Sequence, residues 1–97
     1  MSFMDKAKMI QEARRIQKEL RNTKIEIEKA DGKIKISMNG EQKVEEIYID
    51  PEILSAENEL LIRNSLRDAF SEAIAKSQQI AAEKMKNMTG GLGLPGM

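Results

Sequence analysis

The chain has 97 residues, its sixteen Lys and Arg balanced by sixteen Asp and Glu, and it contains no His, Cys or Trp. That length fits one small domain with no separate catalytic domain, and a chain so short buries a modest share of its surface, so oligomerisation is a reasonable way to complete its core. The missing Cys and His exclude a disulfide framework, thiolate metal sites, a cysteine nucleophile and the commonest general base, while the net charge of zero argues at first sight against nucleic acid.

Leu, Ile, Val and Phe together number twenty-two, near the minimum for an ordered fold. One Tyr and two Phe argue against an aromatic platform for base stacking. No apolar run is long enough to span a membrane, and Met1 to Lys8 lack the apolar stretch of a signal peptide. The expected location is therefore cytoplasmic.

The spacing predicts a helix from about Ser2 to Asn22. Met9, Ala13, Ile16 and Leu20 recur at helical steps and give one narrow apolar seam, suited to packing against a single partner. From Lys24 to Asp50 the period changes to two. Ile25 and Ile27 alternate with Glu26 and Glu28, and Ile34, Ile36 and Met38 alternate with Lys35 and Ser37. Asp31-Gly32 and Asn39-Gly40 are strong hairpin signals. A two-residue turn at Asp31-Gly32 would pair Ala30 with Lys33, Glu28 with Lys35, Ile27 with Ile36 and Ile25 with Met38. Apolar residues then meet on one face and opposite charges on the other. In the third strand Ile47 and Ile49 are in phase but Val44 is not, which predicts a bulge near Glu45-Glu46 or a loop longer than two residues.

Asp50 is placed to cap a short turn with Pro51 at its first position. Ser55 is the expected N-cap of a second helix running to about Met88 along Ile62, Leu66, Ala69, Ala73 and Ile80, with Phe70, Ser77 and Ala81 alongside. Such a helix is about 51 Å long, against a diameter of about 32 Å for a compact globule of this chain length, so it must project. Lys84 interrupts its stripe. The division expected is a single domain over 1–88 and a flexible Gly/Pro-rich tail over 89–97.

The fold class is thus α+β: an N-terminal helix, a three-stranded antiparallel meander and a long C-terminal helix. Both outer strands are edges that invite pairing with another copy. Their apolar residues, Ile25 and Ile27 on one strand and Val44, Ile47 and Ile49 on the other, are the candidates for a dimer interface.

The zero net charge conceals segregation. Residues 1–24 carry a net charge of plus four, residues 25–59 minus six and residues 60–97 plus two. On the first helix Lys8 with Glu12, and Arg15 with Glu19, are spaced to neutralise each other. Arg14, Lys18 and Arg21 form a separate stripe with no acidic neighbour and are free to meet phosphates. Charge alone favours a solvated helix face. In a dimer, however, the stripe appears twice about a two-fold axis, as in dimers that address duplex DNA. Lys84 and Lys86, at the projecting end of the long helix, are second candidates.

Catalytic readings fail on chemistry. Capping explains Asp50 and Glu52. Adjacent Glu45 and Glu46 point to opposite faces of a strand, and the six serines have no His to activate them. Gly90-Gly91-Leu-Gly93 follows no strand and is no phosphate loop. No enzyme, cofactor, metal or small-molecule substrate is expected.

The ordered features resemble the YbaB/EbfC family of small bacterial nucleoid-associated proteins over nearly the whole chain. They are the Met9–Leu20 helix, Gly32-Lys-Ile-Lys-Ile-Ser-Met-Asn-Gly40, Ile47-Tyr-Ile-Asp-Pro51, Glu59-Leu-Leu, Ala69-Phe70 with Ala73, and the Gly-Gly-Leu-Gly-Leu-Pro-Gly tail. The resemblance implies a tweezers-like homodimer at the nucleoid that binds double-stranded DNA and alters its shape, with roles in nucleoid organisation, gene regulation and DNA protection. One departure is the tight Asp31-Gly32 turn, where many relatives have a longer glycine-rich hairpin. The competing expectation is a protein-interaction module like a prefoldin subunit, which also runs helix, hairpins, helix. It requires two helices of similar length, and here about twenty residues face about thirty-four.

Overall fold

A computed structural model describes residues 3–91. Helix α1 spans Phe3–Arg21, strands β1, β2 and β3 span Lys24–Lys29, Ile34–Asn39 and Val44–Ile49, and helix α2 spans Glu59–Gly91. The strands form one antiparallel sheet in the order β1-β2-β3. Together these elements are the α+β arrangement that the periodicities predict.

The first hairpin has the expected register, pairing Ile25 with Met38, Ile27 with Ile36 and Glu28 with Lys35. Its turn closes with the Lys33 N–H donating to the Ala30 carbonyl at 3.1 Å. Asp31 and Gly32 have the positive φ values of a primed turn, 56° and 82°. Ala30 is left-handed too, at φ 55°, so the ladder ends at Lys29–Ile34 and the expected Ala30–Lys33 pair is not part of it. The second hairpin combines both of the expected irregularities. Gly40, Glu41 and Gln42 form its loop, with Gln42 N–H to the Asn39 carbonyl at 3.1 Å and Asn39 N–H to the Lys43 carbonyl at 2.9 Å. Gln42 takes the left-handed position at φ 66°. Beyond it, Ser37 pairs with Glu46 but Met38 pairs with Val44, so Glu45 is the extra, bulged residue.

Asn39-Gly40 marks this hairpin for a reason its sequence does not suggest. Gly40 has no positive φ. It is needed because the end of α1 lies directly over it: a Cβ there would stand 2.7 Å from the Leu20 carbonyl oxygen and 3.1 Å from Leu20 Cα. The Gly40 N–H donates to that same carbonyl at 2.8 Å.

Asp50 caps a 3-10 turn at Pro51–Ile53, its carboxylate accepting the Glu52 N–H at 2.9 Å with Pro51 at the first position. Ser55, in contrast, does not open α2. It precedes a second 3-10 turn, Ala56–Asn58, without a side-chain capping bond, and α2 begins at Glu59. The tighter turn is tied back by Asn58 Nδ2 donating to the Ile53 carbonyl at 3.0 Å. At its other end α2 continues past Met88 through Thr89 and Gly90 to Gly91, since no proline interrupts the helical bonding before Pro95. The expected tail beyond that point lies outside the described residues.

α2 lies over β1 and β2, and β3 is left outside it. Ala69, Ala73 and Ser77, one turn apart, are fully buried beneath it and let its backbone approach the sheet. The Ser77 hydroxyl is satisfied by donating to the Ile74 carbonyl at 2.7 Å. Opposite them Ile25, Ile34, Ile36 and Met38 are buried, each side chain contributing about 1.5–3 kcal/mol of transfer free energy. Phe70, Ile27 and Ile80 pack around this cluster. The remainder of α2 leaves the sheet and is joined there by α1. The longest dimension is therefore 63 Å and the radius of gyration 18.5 Å, against roughly 12–13 Å for a globule of this length.

Candidate nucleic-acid interface

The projecting arm is built from the C-terminal half of α1 against α2. Ile16 is buried and Met9 and Leu20 are half-buried, whereas Ala13, expected in the same seam, is exposed. At about 100° per residue, Lys18 lies diametrically opposite that seam. Arg14 and Arg21 lie within about 60° of Lys18. All three are exposed, so the helix presents them outward as a stripe.

The pairing of the other α1 charges differs from the expected pattern. Arg15 holds two carboxylates at once, Glu12 at 2.7 Å and Glu19 at 2.7 Å. Glu12 is therefore Arg15's partner, and Lys8 makes no ion pair among the described residues. A guanidinium fork can span two carboxylates one helical turn to either side, which an ammonium on Lys8 cannot rival. These contacts, the Glu12 hydrogen bond foremost, raise the Arg15 pKa above its ordinary value. Glu19 also accepts from Lys84 Nζ at 3.1 Å. That hydrogen bond is the main reason its carboxyl titrates below the ordinary value, with partial desolvation opposing it and the charges of Lys84 and Arg15 assisting.

The five cations expected to meet phosphate thus fall into different environments. Arg14 and Lys18 make no ion pair among the described residues. Arg21 Nε donates to Glu41 Oε1 at 3.1 Å. Lys84 is held between the two helices by Glu19, on a different flank of α1 from Lys18, and so is not part of the outer stripe. Lys86 is exposed on the projecting end of α2. Sequence reasoning missed Lys8, because helix spacing assigns its partner without knowing that Arg15 competes for it.

The candidate interface residues also separate. Ile25 is buried and Ile27 half-buried in the protomer's own core under α2, so this strand offers little to a second chain. On β3 Val44 and Ile47 are exposed and Ile49 is half-buried. They pair with Met38, Ile36 and Ile34 and therefore point to the same face as the core. One helix, about 10 Å across, covers two strands spaced about 4.8 Å apart and leaves this third row bare. Leu54, Leu60 and Leu61 are further exposed apolar residues. On the opposite sheet face charges are balanced locally, with Lys24 at 3.2 Å from Glu26, Lys35 at 3.7 Å from Glu28 and the Lys35 ammonium 5.9 Å from the Tyr48 ring centre.

No described helix is long and apolar enough to cross a membrane. In fold, the chain is similar to an uncharacterised protein from Helicobacter pylori, with a TM-score of 0.73 at 18% identity, covering 90% of this chain and 99% of that one. In sequence it is 34% identical to a nucleoid-associated protein of Ruminiclostridium cellulolyticum over 91 residues, 93% of this chain and 79% of that protein. It is likewise 34% identical to a nucleoid-associated protein of Methylococcus capsulatus over 95 residues, 97% of this chain and 88% of that protein. The profile of the YbaB/EbfC DNA-binding family, which is not a family of enzymes, matches residues 1–92. By these measures the chain belongs to the YbaB/EbfC DNA-binding family.

Proposed function

We propose that the protein is a nucleoid-associated, cytoplasmic protein that binds double-stranded DNA as a homodimer, mainly through phosphate contacts, and alters the conformation of the DNA. Its roles are then nucleoid organisation, gene regulation and DNA protection. The observation that carries this reading is the outward stripe of α1, where Arg14 and Lys18 stand without a carboxylate partner among the described residues on an arm that projects from an acidic body. Positive charge concentrated on the arms attracts the DNA backbone, while the acidic sheet and its exit repel it, which confines contact to the arms. Lys8 and Lys86 extend the same field along the two helices.

The dimer draws its support from β3. Among the described residues its edge is unpaired and its row Val44, Ile47 and Ile49 faces the core side without a cover, so a second copy would supply the missing cover at low cost. A two-fold axis then presents two stripes to one duplex. The prefoldin-like alternative needs helices of similar length, and these have 19 and 33 residues.

Each phosphate neutralised contributes about 0.9 to the slope of log affinity against log salt. Arg14 and Lys18 of two protomers predict a slope of about −3.6, and Arg21 brings it to about −5.4 where it too reaches phosphate. The test is duplex binding across a salt series for the wild type and for the Arg14→Ala, Lys18→Ala, Arg21→Ala triple variant. The expected result is a shallow slope and weak binding in the variant. Equal slopes would reject the stripe as the contact surface, and a wild type that binds no duplex at low salt would reject the function.

A further inference from the structure

We propose that Glu41 competes intramolecularly with DNA phosphate for Arg21, and so sets both the affinity of the arm and its sensitivity to salt. The proposal rests on the reading of α1 as the phosphate-binding element and adds an autoinhibitory carboxylate at its base.

Arg21 is the last residue of α1 and shares the outward stripe with Arg14 and Lys18. Unlike them it is already engaged, its Nε donating to Glu41 Oε1 at 3.1 Å. Glu41 belongs to the loop between β2 and β3, twenty residues away, and the loop is built to hold it there. Buried Asn39 accepts the Glu41 N–H at 2.9 Å and the Lys43 N–H at 3.0 Å through one side-chain oxygen. The neighbouring Gly40 N–H donates to the Leu20 carbonyl at 2.8 Å, which clamps the loop to the end of the helix. The carboxylate is thereby preorganised next to the guanidinium and loses little freedom in pairing with it.

The pair is asymmetric in exposure. The Arg21 side chain is 62% exposed and that of Glu41 29%, so an incoming phosphate reaches the cation before it reaches the anion. The hydrogen bond uses Nε, whereas a guanidinium carries five donors, so the group can begin to engage phosphate before it releases Glu41. Completing that exchange leaves a carboxylate beside a phosphate, a like-charge contact that disfavours binding. Added salt weakens the Arg21–Glu41 pair as well as the phosphate contact, and the two effects oppose each other. A wild-type slope nearer the shallow end of the expected range follows.

The experiment compares wild type, Glu41→Gln, Arg21→Ala and the double variant, using a fluorescent 30-base-pair duplex in anisotropy titrations from low to physiological salt. Gln preserves the main-chain hydrogen bonds of the loop and removes the charge alone, and circular dichroism confirms that each variant is folded. An exposed pair of this kind supports a gain of up to about fivefold in affinity per arm for Glu41→Gln. Its salt slope should steepen by about 0.9 per arm, and both effects should vanish in the Arg21→Ala background. Glu41→Gln binding no more tightly than wild type overturns the proposal, as does an equal gain with and without Arg21, which would mark a change in overall charge only. Arg14→Ala with Lys18→Ala serves as the control for the underlying reading. If it weakens binding while Glu41→Gln changes nothing, the stripe stands and the competitor falls. If no variant and no wild type binds the duplex, both fall.

Discussion

Replacing Gly40 with Ala tests whether the α1 arm is set by a backbone contact. A methyl group at this position would sit 2.7 Å from the Leu20 carbonyl oxygen, 3.1 Å from Leu20 Cα and 3.1 Å from its Cδ2. The side-chain carbon can rotate away, but the other two atoms are backbone, so α1 itself must move. That movement stretches the 2.8 Å bond from the Gly40 N–H to Leu20. Overpacking of this kind costs about 1–3 kcal/mol, and a weakened hydrogen bond adds about 1 kcal/mol. The sum is a large part of the roughly 5–15 kcal/mol that holds such a domain together. At fixed protein concentration, a urea midpoint more than about 1 M lower is expected, taking a slope of 1–2 kcal/mol/M. Gly32 is the control. A Cβ there meets nothing nearer than Glu28 Oε2 at 3.9 Å, but φ is +82°, so Gly32→Ala costs about 1–2 kcal/mol through the left-handed backbone. Asn, which tolerates that backbone, should recover much of the loss at position 32 and none of it at position 40. A Gly40→Ala midpoint equal to that of the wild type, or a rescue by Asn at 40, would refute the steric reasoning. Because Gly40 positions the base of the arm, duplex affinity should fall in Gly40→Ala and be nearly unchanged in Gly32→Asn.

Three further outcomes follow from the same contacts. Ile47→Lys, placing a charge in the bare β3 row, should convert a dimer to a folded monomer in light scattering; a dimer that persists would move the interface elsewhere. The Glu19 carboxyl titrates below its ordinary value near 4.5, chiefly because of Lys84. A lowered folded-state pKa means that its contribution is complete above the ordinary value and is lost as pH falls through the folded one. The stability difference between wild type and Glu19→Gln should therefore shrink in urea titrations taken progressively below about pH 4.5, whereas a difference independent of pH would show that charge is not involved. Gln42 occupies a left-handed position at φ 66°. Gln42→Gly should raise the urea midpoint by the equivalent of about 0.5–1 kcal/mol, since the backbone relief of about 1–2 kcal/mol exceeds the entropic cost of glycine; a lower midpoint would contradict this.

The meander was legible because β pairing is a local matter of period and turn. Asp31-Gly32 fixes one register, and with it Ile25, Ile27, Ile36 and Met38 all reach one face. The out-of-phase Val44 announced the Glu45 bulge, since only an added residue can return it to the face of Ile47. Ser55 misled because Ser followed by Glu signals a capped helix whether the first turn is α or 3-10. The choice was made by Asn58 reaching back to Ile53, a bond that no periodicity encodes. Asn39-Gly40 signals a turn because Asn-Gly usually forms one, whereas the role of Gly40 depends on where Leu20 arrives from another element.

The candidate site divides along the same line. Helix spacing identified the outward stripe, because Arg14, Lys18 and Arg21 fall on the side of α1 away from Ile16 at 3.6 residues per turn whatever surrounds them. It could not say which of those cations is compensated. The pairs that decide this join residues twenty and sixty-five positions apart, Arg21 with Glu41 and Lys84 with Glu19, and one depends on a loop clamp while the other depends on two helices crossing. Within α1, spacing allowed Glu12 to either Lys8 or Arg15, and the guanidinium took it because one planar fork can serve two carboxylates. The consequence is functional. A zero net charge does not weigh against DNA when the uncompensated positive charge stands on a projecting helix and the negative charge on the sheet and its exit. On the proposed function, affinity follows the number of outward cations left after internal pairing. Among the described residues, that leaves Arg14 and Lys18 of α1 unpaired on the stripe, with Lys6 and Lys8 added off it and Arg21 conditional on Glu41.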